Sequence, residues 1–442
     1  MRSIHRLSLS ILIAAFCCAS ARGQAVYDTL DRSWSPYLSK DDPAAFAMKI
    51  RAVSATPRSY WGGAKDLFFI WAKRECADWF VNPAHQTICH ADVHAGNIGT
   101  YASGFGQLSI GLVDFDDAVK LPVEIDLLQA FVSLRLAAMQ NQIELSDASA
   151  MQLCELVVDT YNVAAKSSAT ATDLLSDEPS IAMLLKAKDN SYAELLAGYT
   201  ANNQLRRAVL NRKGEVKEIL TPAMDRADAL AAAIAESAKR SSEFGRLLRV
   251  TDRVGIRRSI KHVAIRTRLG SAGSQGLDKV LVLMDRPLRD VDHDVILYLK
   301  QEVPTAAERA DAGPRDSRPP SERVREAVAA NCDPDPIINA PCDTAGRSYL
   351  LTLFEPWGAE LENVPIANRA DLVQRASIMG VVLGCAHRLP IEDRHFVSQL
   401  SARSKAYLGV MLSEWESLRN DPRTTARIAE ADAFIESARQ AK

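Results

Sequence analysis

Aromatic residues make up only 6% of the chain, and nowhere do they interleave with basic ones. That scarcity excludes a stacking platform for single-stranded nucleic acid. Charge of one sign is missing too: 53 lysines and arginines face 55 aspartates and glutamates, for a net charge of −2. A dedicated nucleic-acid binder needs a basic footprint that this balance does not supply. Beyond the first 25 residues no apolar run is long enough to span a bilayer. There is no internal repeat. What the chain does have is length: 442 residues at 47% apolar content can bury a full core in two lobes or domains.

The most informative stretch is His90–Asn97, H-A-D-V-H-A-G-N, followed by V-D-F-D-D at 113–117. Leu108–Val113 alternates like a strand and delivers Asp114 at its end. Asp92 precedes Asn97 by five residues. In protein-kinase chemistry an aspartate at that offset takes the hydroxyl proton, while the asparagine and a later aspartate hold Mg²⁺. Asp92 is therefore the candidate base, a role worth roughly 10²–10⁴ in rate. Asn97, Asp114 and Asp116 offer the hard oxygens that Mg²⁺ prefers. His90 and His94 are read as packing and bonding the loop. Asp126 lies early in an apolar helix from Pro122 to Ala138, where its charge suits the helix dipole; it also matches the position at which kinase-like folds carry an aspartate that accepts hydrogen bonds from the loop backbone. The plain alternative for the whole stretch is a polar turn between two strands.

A second set of signals lies far downstream. Gly270, Gly273 and Gly276 form a glycine-rich turn before the strand Val280–Met284, and glycine lets backbone N–H groups approach phosphates closely. A turn at 292–294 leads to a second strand, Val295–Glu302, carrying Lys300 as a phosphate contact, or else as a solvated strand end. The helix Glu322–Ala330 offers Glu322 and Glu326 as partners for that lysine, with Glu326 preferred. Tyr349–Pro356 reads as a strand entering a hinge, and Leu372–His387 as a long helix.

Together these motifs resemble those of the bacterial "domain of unknown function 2252" group, placed in the kinase-like (aminoglycoside-phosphotransferase-like) superfamily. The resemblance covers roughly residues 45–390. It implies an α+β, two-lobed protein-kinase-like fold in circularly permuted order, with a large helical lobe. It also implies ATP and Mg²⁺ as cofactors. Three departures stand out: Ala91 replaces a glycine, Lys300-Gln-Glu302 replaces a tighter K-E, and Gly62 stands where an arginine is usual.

The organisation expected is 1–25 signal peptide, 26–250 catalytic-loop and helical lobe, 251–360 glycine-turn and lysine β lobe, and 361–442 C-terminal helices on the large lobe. A basic start, an apolar Leu7–Ala19 and the small-residue sites Ala19-Ser20-Ala21 or Gly23-Gln24-Ala25 give the leader its form, implying a periplasmic or secreted protein. ATP is scarce there, so the donor would need explaining. Cys332 and Cys342 flank a proline-rich loop and are either a disulfide or a free buried pair. Helices are expected at Ser146–Lys166, Asp177–Leu196, Gln204–Leu220, Thr221–Ser242 (with Thr221-Pro222 as its start) and in two segments of Ser401–Lys442. Residues 304–322 look too polar and proline-rich to pack, a mobile insertion suited to a lid.

The expected function is Mg-nucleotide-dependent phosphoryl transfer to an unknown hydroxyl on a small molecule or protein. Two alternatives remain open: an inactive kinase-fold binding or scaffold protein, and a hydrolase using His90, Asp92, His94 and Asp114 as a metal cluster.

Overall fold

Two kinds of apolar pattern sort this chain into a helical part and a sheet part, and the boundary between them carries the site. The computed structural model describes residues 24–38, 44–104, 107–211, 213–269, 272–289, 291–393 and 395–440. The leader at 1–23 and Gly270 lie outside the described residues.

Helices at residues 24–34 (α1), Ala45–Ser54 (α2) and Lys65–Glu75 (α3) open the chain. Strand Gln86–Cys89 (β1) then pairs with Val119–Pro122 (β4), bracketing the hairpin Ile98–Gly104 (β2) and Gln107–Leu112 (β3). Helices Val123–Gln140 (α4) and Asp147–Lys166 (α5) follow. Pro122 and the acidic Glu124 and Asp126 set the start of α4. It is buried nearly all round, as a helix through the middle of a core must be.

The sheet part holds seven antiparallel strands. In chain order they are Ala208–Leu210 (β5), Val216–Pro222 (β6), Ile260–Arg268 (β7), Lys279–Met284 (β8), Val295–Glu302 (β9), Asn339–Thr344 (β10) and Arg347–Leu353 (β11). They pair in the order β10-β11-β9-β8-β7-β6-β5. Every residue of β8 is buried because both faces are covered. Val280, Val282 and Met284 pack with Leu230 and Ile234 of helix Ala227–Arg240 (α6). Leu281 and Leu283 pack on the other face with Ala264 and Ile296. Helix Pro320–Asn331 (α7) places Val324, Ala327 and Val328 in the helical core.

Helices Arg369–His387 (α8), Phe396–Arg419 (α9) and Pro422–Gln440 (α10) complete the chain. The α8–α5 crossing is close because of Gly380 and Gly384. A Cβ on either would lie 2.1 Å from Thr160 Oγ1 or 2.2 Å from the Tyr161 carbonyl.

Several expectations need correction. Gln204–Leu220 is not a helix but strands, because Asn211 turns the chain: its side chain accepts from the backbone N–H of Lys213 and Glu215, and Gly214 takes φ +78°. Thr221-Pro222 ends β6, and α6 begins only at Ala227. The sheet therefore starts near residue 208, not 251. Residues 304–312 are largely packed, whereas Pro314, Arg315 and Ser317–Pro319 are exposed. Thr305 and Glu308 form a capping box, and Arg309 forks onto buried Asp66 at 2.7 and 3.1 Å. Cys332 and Cys342 are free, buried thiols in two different core clusters, and burial pushes both up to about 12.

Candidate active-site cleft

The loop after β1 is held from below by two polar residues of α4. Asp126 accepts the backbone N–H groups of His90 (2.7 Å) and Ala91 (2.9 Å), and its Oδ2 also meets His387 Nε2 at 3.0 Å. Gln129 accepts from the Val93 N–H and donates to the Ala91 carbonyl. Both side chains are buried, so these bonds fix the loop in a dry environment. Ala91 pays for the bend with φ +61°.

That loop presents Asp92 into the cleft. Asp92 Oδ2 lies 2.8 Å from Lys65 Nζ and 3.0 Å from Asn97 Nδ2. Lys65 also pairs with Asp117, whose carboxylate accepts the Ala306 N–H. Burial pulls Lys65 down, but Asp117 and Asp92 outweigh it and hold the ammonium above its ordinary range. Burial raises Asp92 against the pull of Lys65. Asn97 spends its amide nitrogen on Asp92, which leaves its oxygen for another partner.

Asp114 follows the hairpin in a left-handed conformation, φ +66°. Its carboxylate and that of Asp116 converge on Lys300 Nζ from β9, at 2.5 Å for Asp116. Desolvation inside the cleft opposes ionisation, but the Lys300 ammonium holds half-exposed Asp114 well below the usual carboxylate range. Burial and the neighbouring Asp114 push Asp116 up to about 6. The distant lysine and the hairpin acids thus share one cleft.

Two adjoining cavities, about 420 and 330 Å³, meet along Asn97, Asp114 and Asp116. The larger runs under the sheet past Tyr298, Lys300 and Glu302 to an apolar wall of Val324, Val328 and Leu353. The smaller contains Lys65, Asp92 and His94 and is covered by Ala272, Gly273 and Ser274 of the glycine turn. Lys49 of α2, packed 3.5 Å from the Trp34 ring centroid, holds that turn through the Ala272 and Gly273 carbonyls. Gly276 meets the turn's demand for φ +85°.

Glu326 is not brought to Lys300. It pairs with Arg318 on the exposed side of α7 at 2.6 Å, and Glu322 approaches Arg240. The buried charge of that helix is Arg323, bonded to the carbonyls of Asp116, Ala118 and Val303. The histidines are engaged within the loop. His90 Nε2 meets the Val113 carbonyl at 2.8 Å, and His94 Nδ1 is bonded by Gly96 N–H and Arg58. Burial and then Arg58 hold His94 well below the usual histidine range. Among the described residues, the one group of three His, Cys, Asp or Glu side chains close enough to share an ion is buried Cys89, Asp126 and His387. His90, Asp92, His94 and Asp114 do not form such a group.

The family model for uncharacterised proteins conserved in bacteria, DUF2252, matches residues 41–415. The chain belongs to that family. No curated protein and no solved structure matches it.

The matched span contains every residue of the cleft, including several that sequence reading missed. Lys65 opens the helix K-D-L-F-F-I-W-A-K-R-E, and nothing in that pattern sets it apart from the charges around it. Lys49 and Lys279 carried no motif. Arg58 lies against Gly62, where the resemblance puts an arginine: a Cβ there would sit 3.2 Å from Arg58 Nη1. Arg58 bonds Glu362 at 2.8 and 2.7 Å, placing a guanidinium at the edge of the smaller cavity from four residues earlier in the chain.

Proposed function

We propose that this protein is a phosphotransferase with a kinase-like, two-lobed fold whose motifs run in circularly permuted order. It takes a magnesium nucleoside triphosphate as donor and a hydroxyl as acceptor. One observation carries the reading: Lys300, from the sheet, and Asp114 and Asp116, from the hairpin nearly 200 residues earlier, converge at the junction of two cavities. The larger cavity, with its apolar far wall, suits a nucleoside. The smaller, with Asp92, suits an acceptor.

The donor set fits magnesium. Two carboxylates and the free oxygen of Asn97 are hard ligands. Asp114, Asp116 and Asn97 would hold the ion, which would neutralise phosphate charge when bound. Asp92 orients the acceptor hydroxyl and takes its proton as the oxygen–phosphorus bond forms. The bridging phosphorus–oxygen bond breaks and the nucleoside diphosphate leaves with its electron pair. Lys65 keeps Asp92 in place and compensates the charge it carries beforehand.

Export remains part of the proposal. Val26, Tyr27, Leu30 and Trp34 of α1 are all buried, and cleavage after Ala25 would remove the first two residues of that helix and leave the new terminus at buried Val26. Cleavage after Ala21 preserves it. An intact mass of the mature chain beginning at Arg22 supports this; one beginning at Val26 rejects it. An exported enzyme needs its donor outside the cytoplasm.

A second reading, a binding protein that does not transfer phosphate, draws on the engagement of Asp92 by both Lys65 and Asn97. Thermal-shift titration with Mg-ATP on wild type and Asp114→Ala tests the donor site. A shift in the wild type that the variant lacks supports it; no response in either defeats it. Transfer of labelled phosphate that requires Asp92 then separates enzyme from binder.

A further inference from the structure

Neighbouring strands place three cations on one face of the sheet. Lys279 of β8 stands directly opposite Lys300 of β9. The pairing of Val280 with Ile265 puts Arg266 of β7 beside Lys279 on its other side. Directly opposed residues in an antiparallel sheet point to the same face, and like charges set so are unfavourable without compensation.

Two of the three are compensated. Arg266 forks onto buried Glu218 at 2.7 Å for each bond, and Lys300 pairs with Asp114 and Asp116. Lys279 is not. It is 5% exposed, lines the larger cavity, and has no hydrogen-bond or ion-pair partner among the described residues. Five acids line the cavity, Asp114, Asp116, Glu302, Glu355 and Glu360, and none of them is bonded to Lys279; Glu355 accepts the Ala102 N–H. Asp114 and Asp116 serve Lys300, while Glu302 has no partner for either oxygen and burial holds it well above the usual carboxylate range.

A buried lysine without a counter-charge costs stability unless something in the cavity supplies one. Burial first, then Lys300 and Arg266, against weaker help from Asp114 and Asp116, lower Lys279 to about 7. Its neighbours make it a poor structural residue and a good anion receptor.

We infer that Lys279 is a second phosphate-binding lysine, so that the donor's polyphosphate chain is gripped from two adjacent strands by Lys279 and Lys300 together. The inference rests on the nucleotide-donor reading for the identity of the anion. The cation itself is independent of that reading.

Isothermal titration of the full chain with magnesium tripolyphosphate, Mg-ATP and adenosine tests it, in wild type, Lys279→Met and Lys279→Arg. Lys279→Met should bind tripolyphosphate and ATP roughly 10- to 100-fold more weakly, the range of a lost charged hydrogen bond. Adenosine binding should not change, and Lys279→Arg should recover most of the loss. Polyanion binding by Lys279→Met within about twofold of wild type overturns the inference. If the wild type takes tripolyphosphate through Lys279 but ATP no tighter, the lysine's role stands and the nucleoside donor falls. If it takes neither polyanion, both fall.

Discussion

The two walls of the cleft solve their electrostatics in opposite ways. On the helical wall Lys65 sits between Asp92 and Asp117, and Asp126 is saturated by loop N–H groups and His387. On the sheet wall Lys279 and Glu302 face the same cavity with no partner. A closed network positions side chains and resists change, because each charge already has what it needs. An open one tolerates its cost only if a ligand completes it. Under the proposed function, the difference gives the helical wall the positioning of reacting groups and the sheet wall the recognition of an anion.

Replacing one lysine from each wall breaks that comparison most directly. Lys65→Met leaves Asp92 and Asp117 buried without their shared cation and should destabilise the protein by about 3–5 kcal/mol. Urea unfolding measures it, and a loss below about 1 kcal/mol would mean that the helical network is not closed. Lys279→Met removes a charge that nothing compensates and should leave stability unchanged or raised.

A pH series sharpens the second half. Lys279 titrates near 7 when folded and near 10.5 when unfolded. Between those values the unfolded chain holds a proton that the folded one lacks, so the wild type gains stability as pH rises. Below pH 7 both states hold it and the burial penalty is full. The advantage of Lys279→Met over wild type should therefore be largest and flat below pH 7, then shrink towards pH 10. A difference that grows with pH would show that Lys279 has a hidden partner.

The same contrast explains what could be read from sequence. The hairpin strand, Lys300 on its strand and the long helix to His387 follow local patterns of period two or 3.6, and they fold close to the expected bounds. Asp126 was legible because its spacing from the loop is a motif. Lys65, Lys49 and Lys279 were not, since each meets its surroundings only through tertiary packing across long sequence separations. Glu326 failed for a related reason: Arg323 already stands at the edge of the stripe buried with Val324, Ala327 and Val328, and Glu326 lies about 60° further round the helix, on the solvent side. Residues 204–220 misled because apolar residues at 205, 209, 216, 219 and 220 suit a helix as well as short strands. The turn signal Asn211-Arg-Lys-Gly214 should have decided it.

The smallest expected effect concerns Ala91, where the resemblance puts a glycine. Its φ of +61° costs a residue with a side chain about 1–2 kcal/mol relative to ordinary backbone. Ala91→Gly relieves that strain. It also removes a fully buried methyl, worth about 0.8 kcal/mol, and adds about 0.5–1 kcal/mol of unfolded-state entropy. The contributions nearly cancel, so unfolding free energy should move by less than about 1 kcal/mol. Asp126 and Gln129 grip the loop through backbone groups that both residues possess, so Asp92 should keep its position. A loss above about 2 kcal/mol would mean that the Ala91 methyl, not the α4 side chains, sets the loop, and a gain of that size that the strain at Ala91 exceeds its ordinary cost.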